Sequence, residues 1–294
     1  MKFSNPVLNV NKKSRDPVIV LGGDGYFYSC YNAVDRVMVR KFASLSEIET
    51  AEEKAAYVCT DESCPRDWYA PEMHLIDGHW YIYGAPVIPG MPNIHGTYVL
   101  RSKTADAFSD YDFCGPLKGL ENKWSIDATV FEHDGEWYSV ISYNGLSIAR
   151  MKDPVTLAHE PITIANAELP WECVGSPIIE GPAALKKNDI LYIVYSASES
   201  RCDDYCLGIL TFKGGDLLDP ANWEKHPEPV FSKANGLHGP GHCSFSKMNG
   251  QDVIVYHANP VSGTGWTGSF LCVQPFKWEN DFPVFGEPLK EFEL

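Results

Sequence analysis

A short β-hairpin pattern occurs five times in the 294-residue chain and restricts the fold more than any other feature. In each copy an apolar segment leads into a two-residue polar turn, and alternating aromatic and β-branched residues follow. The first residues of successive turns are 53, 57, 54 and 61 positions apart. A β-rich unit repeated about every 40 to 60 residues is typical of propeller blades, so the sequence predicts an all-β, five-bladed β-propeller. The five turns are Asp24-Gly25, Asp77-Gly78, Asp134-Gly135, Asn188-Asp189 and Asn249-Gly250.

The five units account for the whole chain, so we expect a single domain over residues 1–294. Two segments depart from the hairpin pattern. Residues 44–56 are predicted to form a helical excursion with Ser46 as its N-cap. Residues 86–96, rich in Pro and Gly, are predicted to form a loop near the mouth of the barrel. After a polar lead-in of residues 1–15, the predicted blades cover about 16–60, 61–117, 118–170, 171–232 and 233–294.

Charge and apolar content exclude several classes of partner. A net charge of −15 argues against binding to nucleic acid or to an anionic membrane surface, since both require a basic surface. No apolar run is long enough to cross a membrane. The N-terminal residues lack the apolar core of a signal peptide, so the sequence predicts a cytoplasmic protein. The nine scattered cysteines are expected to be reduced thiols. Nothing in the sequence indicates the oligomeric state.

Residues at the same point of each repeat are expected to converge on one face, because the first strand of every blade lines the central channel. One polar residue near the start of each repeat is a candidate. In chain order the five candidates precede the first residue of their turn by 8, 5, 7, 8 and 7 positions, so only the second aligns poorly. Ionised carboxylates grouped in this way repel one another, and at least one pKa must rise. Glycoside hydrolysis requires such a pair, because one acid protonates the leaving oxygen while the other activates water. The five residues are Asp16, Glu72, Asp127, Glu180 and His242.

A sugar site also needs flat apolar surfaces, which aromatic side chains provide. Most tryptophans of a propeller are expected to belong to its core. Trp68 and Trp124 are predicted to bind substrate instead, because each lies a few residues before a repeat begins. Tyr69, next to Trp68, is a further candidate for contact with the sugar.

Five motifs, met in order along essentially the whole chain, resemble the successive blade motifs of family 43 glycoside hydrolases. Taken together they are far more specific than any one alone. The chain is most similar to the single-domain α-L-arabinofuranosidases of that family. The motifs are Arg15-Asp16-Pro17, Ala70-Pro71-Glu72, Ser125-Ile126-Asp127-Ala128-Thr129, Glu180-Gly181-Pro182 and Gly239-Pro240-Gly241-His242.

The resemblance implies an inverting mechanism with three acids. Asp16 would be the general base, Glu180 the general acid, and Asp127 would raise the pKa of Glu180 and hold it in place. Inversion predicts that the Asp16 and Glu180 carboxyl groups lie roughly 6.5 to 9.5 Å apart, which leaves room for the attacking water. His242 would contact substrate and face a metal ion in the central channel, expected to be calcium. The chemistry itself would need no cofactor.

One departure from the family pattern concerns sugar binding. Family members often carry an arginine two residues before the Gln274-Pro275 pair, where this chain has Cys272. Another group must therefore bind the sugar, or the glycone differs from the commonest ones. We expect a small oligosaccharide substrate and an exo-acting α-L-arabinofuranosidase that releases L-arabinofuranose from arabino-oligosaccharides or arabinoxylan fragments. A cytoplasmic location would favour exo action.

Four alternatives to this function can be weighed from the sequence. A β-D-xylosidase or an endo-arabinanase would have the same fold, and the reacting carbon of β-D-xylopyranose resembles that of α-L-arabinofuranose. A catalytically inactive propeller would bind sugar without turnover. A protein-interaction propeller would not need acids at the start of three inner strands.

Overall fold

The structure is a computed structural model that describes residues 1–8, 15–61 and 63–294. Residues 9–14 of the predicted polar lead-in lie outside the described residues. Strands dominate the described chain, and the helical elements are four short 3₁₀ helices. They are Leu45–Thr50, Pro170–Glu172, Pro220–Asn222 and Gly265–Gly268. None of the helices in this part of the chain is long and apolar enough to cross a membrane.

Each predicted blade corresponds to a separate antiparallel sheet, which confirms the five-bladed β-propeller. Strand β1 (Lys2–Ser4) comes first. Blade one contains β2 (Val20–Leu21), β3 (Phe27–Asn32), β4 (Arg36–Phe42) and β5 (Glu52–Val58). Blade two contains β6 (Arg66–Ile76), β7 (His79–Ile88), β8 (Met91–His95), β9 (Tyr98–Ser102) and β10 (Tyr111–Pro116). Blade three contains β11 (Ile126–His133), β12 (Glu136–Ser142), β13 (Leu146–Asp153) and β14 (Thr156–Leu157), followed by β15 (Ile162–Ala165).

The remaining strands form the last two blades and two small sheets. Blade four contains β16 (Ile179–Lys187), β17 (Ile190–Ala197), β18 (Cys206–Phe212) and β19 (Trp223–Lys225). Blade five contains β20 (His238–Met248), β21 (Gln251–Asn259) and β22 (Phe270–Pro275). Then come β23 (Lys277–Glu279), β24 (Phe282–Val284) and β25 (Glu291–Glu293). Strand β23 pairs with β24, and β25 pairs with β1, so the two ends of the chain share one sheet.

The described chain divides into two compact units. We call them the terminal unit, which comprises Met1–Pro17, Asn144–Leu146 and Thr163–Leu294, and the middle unit, which comprises Val18–Tyr143 and Ser147–Ile162. Trp68 and Ile82 are fully buried in the core of the middle unit. Val194 and Tyr256 are fully buried in the core of the terminal unit. The single domain over residues 1–294 stays a prediction.

Both segments that were expected to depart from the hairpin pattern contain strand. In residues 44–56 a 3₁₀ helix, Leu45–Thr50, buries Leu45 and Ile48, and its N-cap is Ser44, not Ser46. The polypeptide then enters β5, which pairs with β4. Residues 86–96 are not a loop, because β7 extends to Ile88 and β8 returns along it.

The inner part of every blade has a residue in the left-handed backbone conformation at an equivalent position. It lies seven residues before the turn in four blades and eight before it in the first. In blades two to five a shift in strand register spans this residue, as in a β-bulge. The equivalent positions are Asp16 (φ 50°), Ala70 (φ 41°), Asp127 (φ 56°), Gly181 (φ 55°) and His242 (φ 45°).

This structural equivalence corrects the alignment made from the sequence. Asp16, Asp127 and His242 are equivalent, but Glu72 lies two residues after its left-handed residue and Glu180 one residue before. A non-glycine residue in this conformation costs about 1–3 kcal/mol, and such strain concentrates at functional sites. Three of the predicted site residues carry it, which supports a functional role for this position of the repeat.

A buried carboxylate, Glu172, anchors the start of blade four in the terminal unit. It has no exposed surface, and it accepts hydrogen bonds from the Tyr195 hydroxyl (2.7 Å) and from the backbone N–H groups of Glu168 and Leu169 (2.8 Å each). The Lys225 ammonium lies 2.9 Å away. Burial raises the pKa of Glu172, but these donors outweigh it and lower the pKa overall. Glu172 is thus a structural carboxylate, ionised in the folded protein.

Replacing Glu172 by glutamine is expected to destabilise the protein by about 3–5 kcal/mol, because it leaves the Lys225 charge without its partner. The folded-state pKa is lowered, so the stabilisation is present above the ordinary value of 4.5 and is lost as pH falls through the folded-state pKa. Urea unfolding at pH 7 and pH 4 measures both effects. Glu224→Gln, which breaks the exposed pair with Lys213, is the matched control and should cost at most about 1 kcal/mol. Equal losses in both variants would contradict this role of Glu172.

Candidate active site

Asp16 has three nitrogen-bearing neighbours, all in the terminal unit. Its Oδ1 lies 3.3 Å from Arg15 Nε, 3.3 Å from His242 Nδ1 and 3.4 Å from His257 Nδ1. Burial alone raises the pKa of Asp16, but Arg15 and then the two imidazoles outweigh it, so the pKa is well below its usual range. Asp16 is therefore an ionised carboxylate in a largely enclosed position, which suits a general base.

His257 was not identified from the sequence. It lies in β21, one residue after Tyr256, and its side chain is only 1% exposed. Burial lowers the pKa of His257 to about 4, although Asp16 acts in the opposite direction, so the ring is neutral at neutral pH. The signal available in the sequence was a histidine that ends the apolar run Val253–Tyr256, where the hairpin pattern predicts only core residues.

His242 contacts the predicted base. Its backbone N–H donates to Ser196 Oγ at 2.7 Å, which fixes the left-handed residue, and its ring faces Asp16. Gly181 lies against the same ring, because a Cβ at that position would be 2.9 Å from His242 Nδ1. With φ at +55°, only glycine fits there without strain. The glycine at position 181 thus allows the residue directly after the predicted acid, Glu180, to pack closely against His242.

Glu180 is the second residue of β16 and is partly exposed. The hydroxyl of Tyr205, a fully buried residue, donates to Glu180 Oε1 at 2.8 Å. Tyr205 is a second residue that the sequence did not identify. Burial lowers the pKa of Arg15, but Asp16, Tyr205 and Glu180 outweigh it and raise the pKa overall. Arg15 is thus electrostatically coupled to both predicted catalytic carboxylates.

Trp266, also in the terminal unit, lies next to Arg15. The Arg15 guanidinium carbon lies 4.6 Å from the centroid of the Trp266 ring, and that of Arg201 lies 5.3 Å from it. The indole N–H donates to Ser200 Oγ at 3.1 Å, and the side chain is 46% exposed. The ring of Trp266 thus holds the Arg15 guanidinium close to the predicted catalytic carboxylates. A guanidinium in this position can donate hydrogen bonds to sugar hydroxyls.

Asp127 belongs to the middle unit. It lies in β11 and is 6% exposed. Ser142 Oγ donates to its Oδ2 at 3.5 Å. Two residues further along β11, Thr129 donates to Glu72 Oε1 at 2.9 Å. Glu72 therefore serves as a hydrogen-bond acceptor for the strand that carries Asp127.

The predicted sugar-binding aromatics of the middle unit differ in exposure. The structure contradicts the prediction for Trp68, which is completely buried against Tyr57 and Tyr98 as part of the core. Trp124 is 45% exposed, with its ring edge-on to His95 at 5.8 Å. Tyr69 stacks on the same imidazole at 3.8 Å. Tyr69, His95 and Trp124 therefore form one aromatic cluster.

Cys272 does not lie where a sugar could reach it. The residue is fully buried in β22 and packs in the core of the terminal unit. A long cationic side chain such as that of arginine would have to extend out of the core from this position. Any group that binds the sugar in place of such an arginine would therefore come from another strand or loop, unless the glycone differs from the commonest ones.

The family model described as glycosyl hydrolases family 43 matches residues 3–283. The chain belongs to this family. A Streptomyces chartreusis protein named extracellular exo-α-(1→5)-L-arabinofuranosidase is 34% identical over 274 residues, which cover 87% of this chain and 82% of that protein. A Streptomyces avermitilis protein of the same name is 33% identical over 273 residues, which cover 87% of this chain but only 56% of its own length. The crystal structure of an α-L-arabinofuranosidase from Lactobacillus brevis has a TM-score of 0.88 at 28% identity, with 98% of this chain and 97% of that one covered.

The relatives correct one expectation about this family 43 chain. The cytoplasmic location expected from the sequence is wrong, because both Streptomyces relatives are named as extracellular enzymes. The argument for exo action that depended on a cytoplasmic location falls with it.

The donors around His242 do not by themselves form a calcium site. Calcium takes six to eight oxygen ligands, whereas the neighbours of Asp16 offer nitrogen. His257 Nε2, which is buried and has no hydrogen-bond partner among the described residues, is also a nitrogen. Within residues 1–8, 15–61 and 63–294 no three His, Cys, Asp or Glu side chains are placed to hold a metal ion. Calcium at His242 stays a prediction, and hydrolysis by family 43 enzymes needs no cofactor.

Proposed function

We propose that the protein is an exo-acting, inverting α-L-arabinofuranosidase that releases L-arabinofuranose from short arabino-oligosaccharides or arabinoxylan fragments. The observation that carries the proposal is the contrast between two carboxylates of the terminal unit. Asp16 is held ionised by Arg15, His242 and His257, while Glu180 meets a phenol donor, Tyr205. Two carboxyl groups in different environments are what general acid and general base catalysis require.

In this proposal Asp16 removes a proton from water as the water attacks the anomeric carbon. Glu180 donates its proton to the glycosidic oxygen, whose bond to that carbon breaks, and the leaving group departs as an alcohol. The reaction passes through an oxocarbenium-like transition state, and the configuration of the anomeric carbon is inverted. Asp127 is proposed to raise the pKa of Glu180 and hold it in place, as the family resemblance implies. Both acids return to their starting states by proton exchange with solvent.

Each unit contains residues that are proposed to contact sugar. Arg15 and Trp266 supply donors and a flat surface beside the acids in the terminal unit. Trp124 and Tyr69 are proposed as apolar surfaces in the middle unit. The names of the Streptomyces relatives and of the Lactobacillus brevis structure support L-arabinofuranose as the glycone.

The test is hydrolysis of 4-nitrophenyl α-L-arabinofuranoside and 4-nitrophenyl β-D-xylopyranoside side by side, with the first product anomer followed by proton NMR. We expect arabinose to be released preferentially and to appear first as the β-anomer. The α-anomer would indicate retention and contradict the mechanism. Preference for the xyloside would overturn the glycone, and binding without turnover would indicate a sugar-binding protein. Linear arabino-oligosaccharides should yield arabinose and the oligosaccharide shortened by one unit in equal amounts at the start, whereas early fragments of intermediate length formed without arabinose would contradict exo action.

A further inference from the structure

The fully buried phenol of Tyr205 donates its hydroxyl hydrogen to Glu180 Oε1 at 2.8 Å. Tyr205 directly precedes β18, while Glu180 lies at the start of β16, so two non-neighbouring strands of blade four bring the groups together. A buried tyrosine needs a partner for its hydroxyl, but that partner could have been any backbone carbonyl. Here it is the proposed general acid.

The ring of Tyr205 is held rigidly. It stacks parallel to the His257 ring, with centroids 5.7 Å apart and planes 2° apart. Gly241 faces its edge so closely that a Cβ there would lie 2.1 Å from Tyr205 Cε1. The hydroxyl therefore has a fixed position. Because His257 also contacts Asp16, one packed row of side chains joins the proposed base to the proposed acid.

We propose that Tyr205 is a positioning residue for the general acid. Its hydrogen bond to Oε1 fixes the rotation of the Glu180 carboxyl group, so that Oε2 carries the proton to be transferred. When that proton moves to the glycosidic oxygen and the C–O bond breaks, Glu180 is left as a carboxylate. The hydrogen bond from Tyr205 persists and strengthens, because its acceptor is now charged. This inference rests on the proposed function, since it needs Glu180 to act as an acid.

The proposal makes the leaving group the decisive variable. An arabinosyl alcohol must be protonated as it leaves, whereas 4-nitrophenolate departs without a proton. Tyr205→Phe is expected to lower kcat on α-1,5-linked arabinobiose by about 10- to 100-fold, the loss expected for one hydrogen bond to a charged group. On 4-nitrophenyl α-L-arabinofuranoside the same variant should lose no more than about threefold. The ratio of the two rates in one preparation does not depend on the folded fraction, so partial unfolding cannot produce the selective loss.

Tyr256→Phe is the matched control. Tyr256 is also fully buried in the terminal unit, and its hydroxyl donates to Gln274 Oε1 at 2.9 Å. It should lose a comparable hydrogen bond but keep the wild-type ratio of rates. Gly241→Ala offers a second variant, because the added Cβ displaces the Tyr205 ring while leaving the residue itself unchanged. It should reproduce the selective loss.

The outcomes separate this inference from the proposed function. Equal losses on both substrates in Tyr205→Phe, or no loss on either, would overturn the role of Tyr205 if Glu180→Gln still shows selective loss. If wild type hydrolyses neither substrate, or if Glu180→Gln is not selective, the proposed function fails instead. A selective loss in Tyr256→Phe would also overturn the inference, because the effect would then follow from any buried tyrosine.

Discussion

Asp16→Asn is expected to lower kcat by about 10³-fold on every glycoside, with an alcohol or a nitrophenolate leaving group alike. The loss does not depend on the leaving group, because water must be deprotonated in both reactions. Asparagine is the appropriate substitution. It keeps the shape of the side chain and tolerates the left-handed backbone of residue 16, which alanine would strain. Removing the charge also removes the partner of Arg15, His242 and His257.

Asp77→Asn is the matched control for Asp16→Asn. Asp77 has φ 49°, nearly that of Asp16, but it lies in an exposed hairpin turn. It should keep wild-type kcat on both substrates. Steady-state kinetics with arabinobiose and the nitrophenyl arabinofuranoside, together with thermal unfolding of each variant, make the comparison. Retention of more than about a tenth of wild-type activity in Asp16→Asn would exclude Asp16 as the base, given the usual contribution of such a group.

The repeat was readable from the sequence because its signal is local. Asp-Gly and Asn-Gly pairs adopt the two positive φ values of a tight hairpin turn, and Asp77-Gly78, Asp134-Gly135 and Asn249-Gly250 do so. The alignment at the start of each repeat was less reliable. Glu72 and Glu180 were placed beside Asp16 and Asp127 by their charge, whereas Ala70 and Gly181 are the true equivalents in backbone conformation. The charge of a side chain does not indicate the φ angle of its residue.

The residues that were missed reach the site from later strands. Tyr205 and His257 lie 25 and 241 positions from the carboxylates they contact. Their local sequence offers only one signal, which is that His257 ends an apolar run. Trp68 illustrates the opposite error. Its nearness to a repeat start suggested a sugar surface, but burial against Tyr57 and Tyr98 decides its role. Sequence spacing predicted the candidate acids, whereas the side chains that contact them follow only from the packing of distant strands.

Glu180→Gln is expected to lower kcat on α-1,5-linked arabinobiose by about 10³-fold, because an amide cannot supply the proton that the leaving alcohol needs. On 4-nitrophenyl α-L-arabinofuranoside the loss should be far smaller. Glutamine preserves the acceptor oxygen for the Tyr205 hydroxyl, so the packing of blade four is kept. Glu224→Gln, an exposed change in the same unit, is the control and should keep the wild-type ratio of rates.

The two carboxylate variants decide the roles only when they are compared. Loss of the base at Asp16 removes activity on both substrates, whereas loss of the acid at Glu180 removes it selectively where a proton must be delivered. If the selectivity appeared in Asp16→Asn instead, the two roles would be exchanged. If neither variant were selective, protonation of the leaving group would have to come from another residue. The same pair of substrates thus tests each carboxylate against the other in one folded protein.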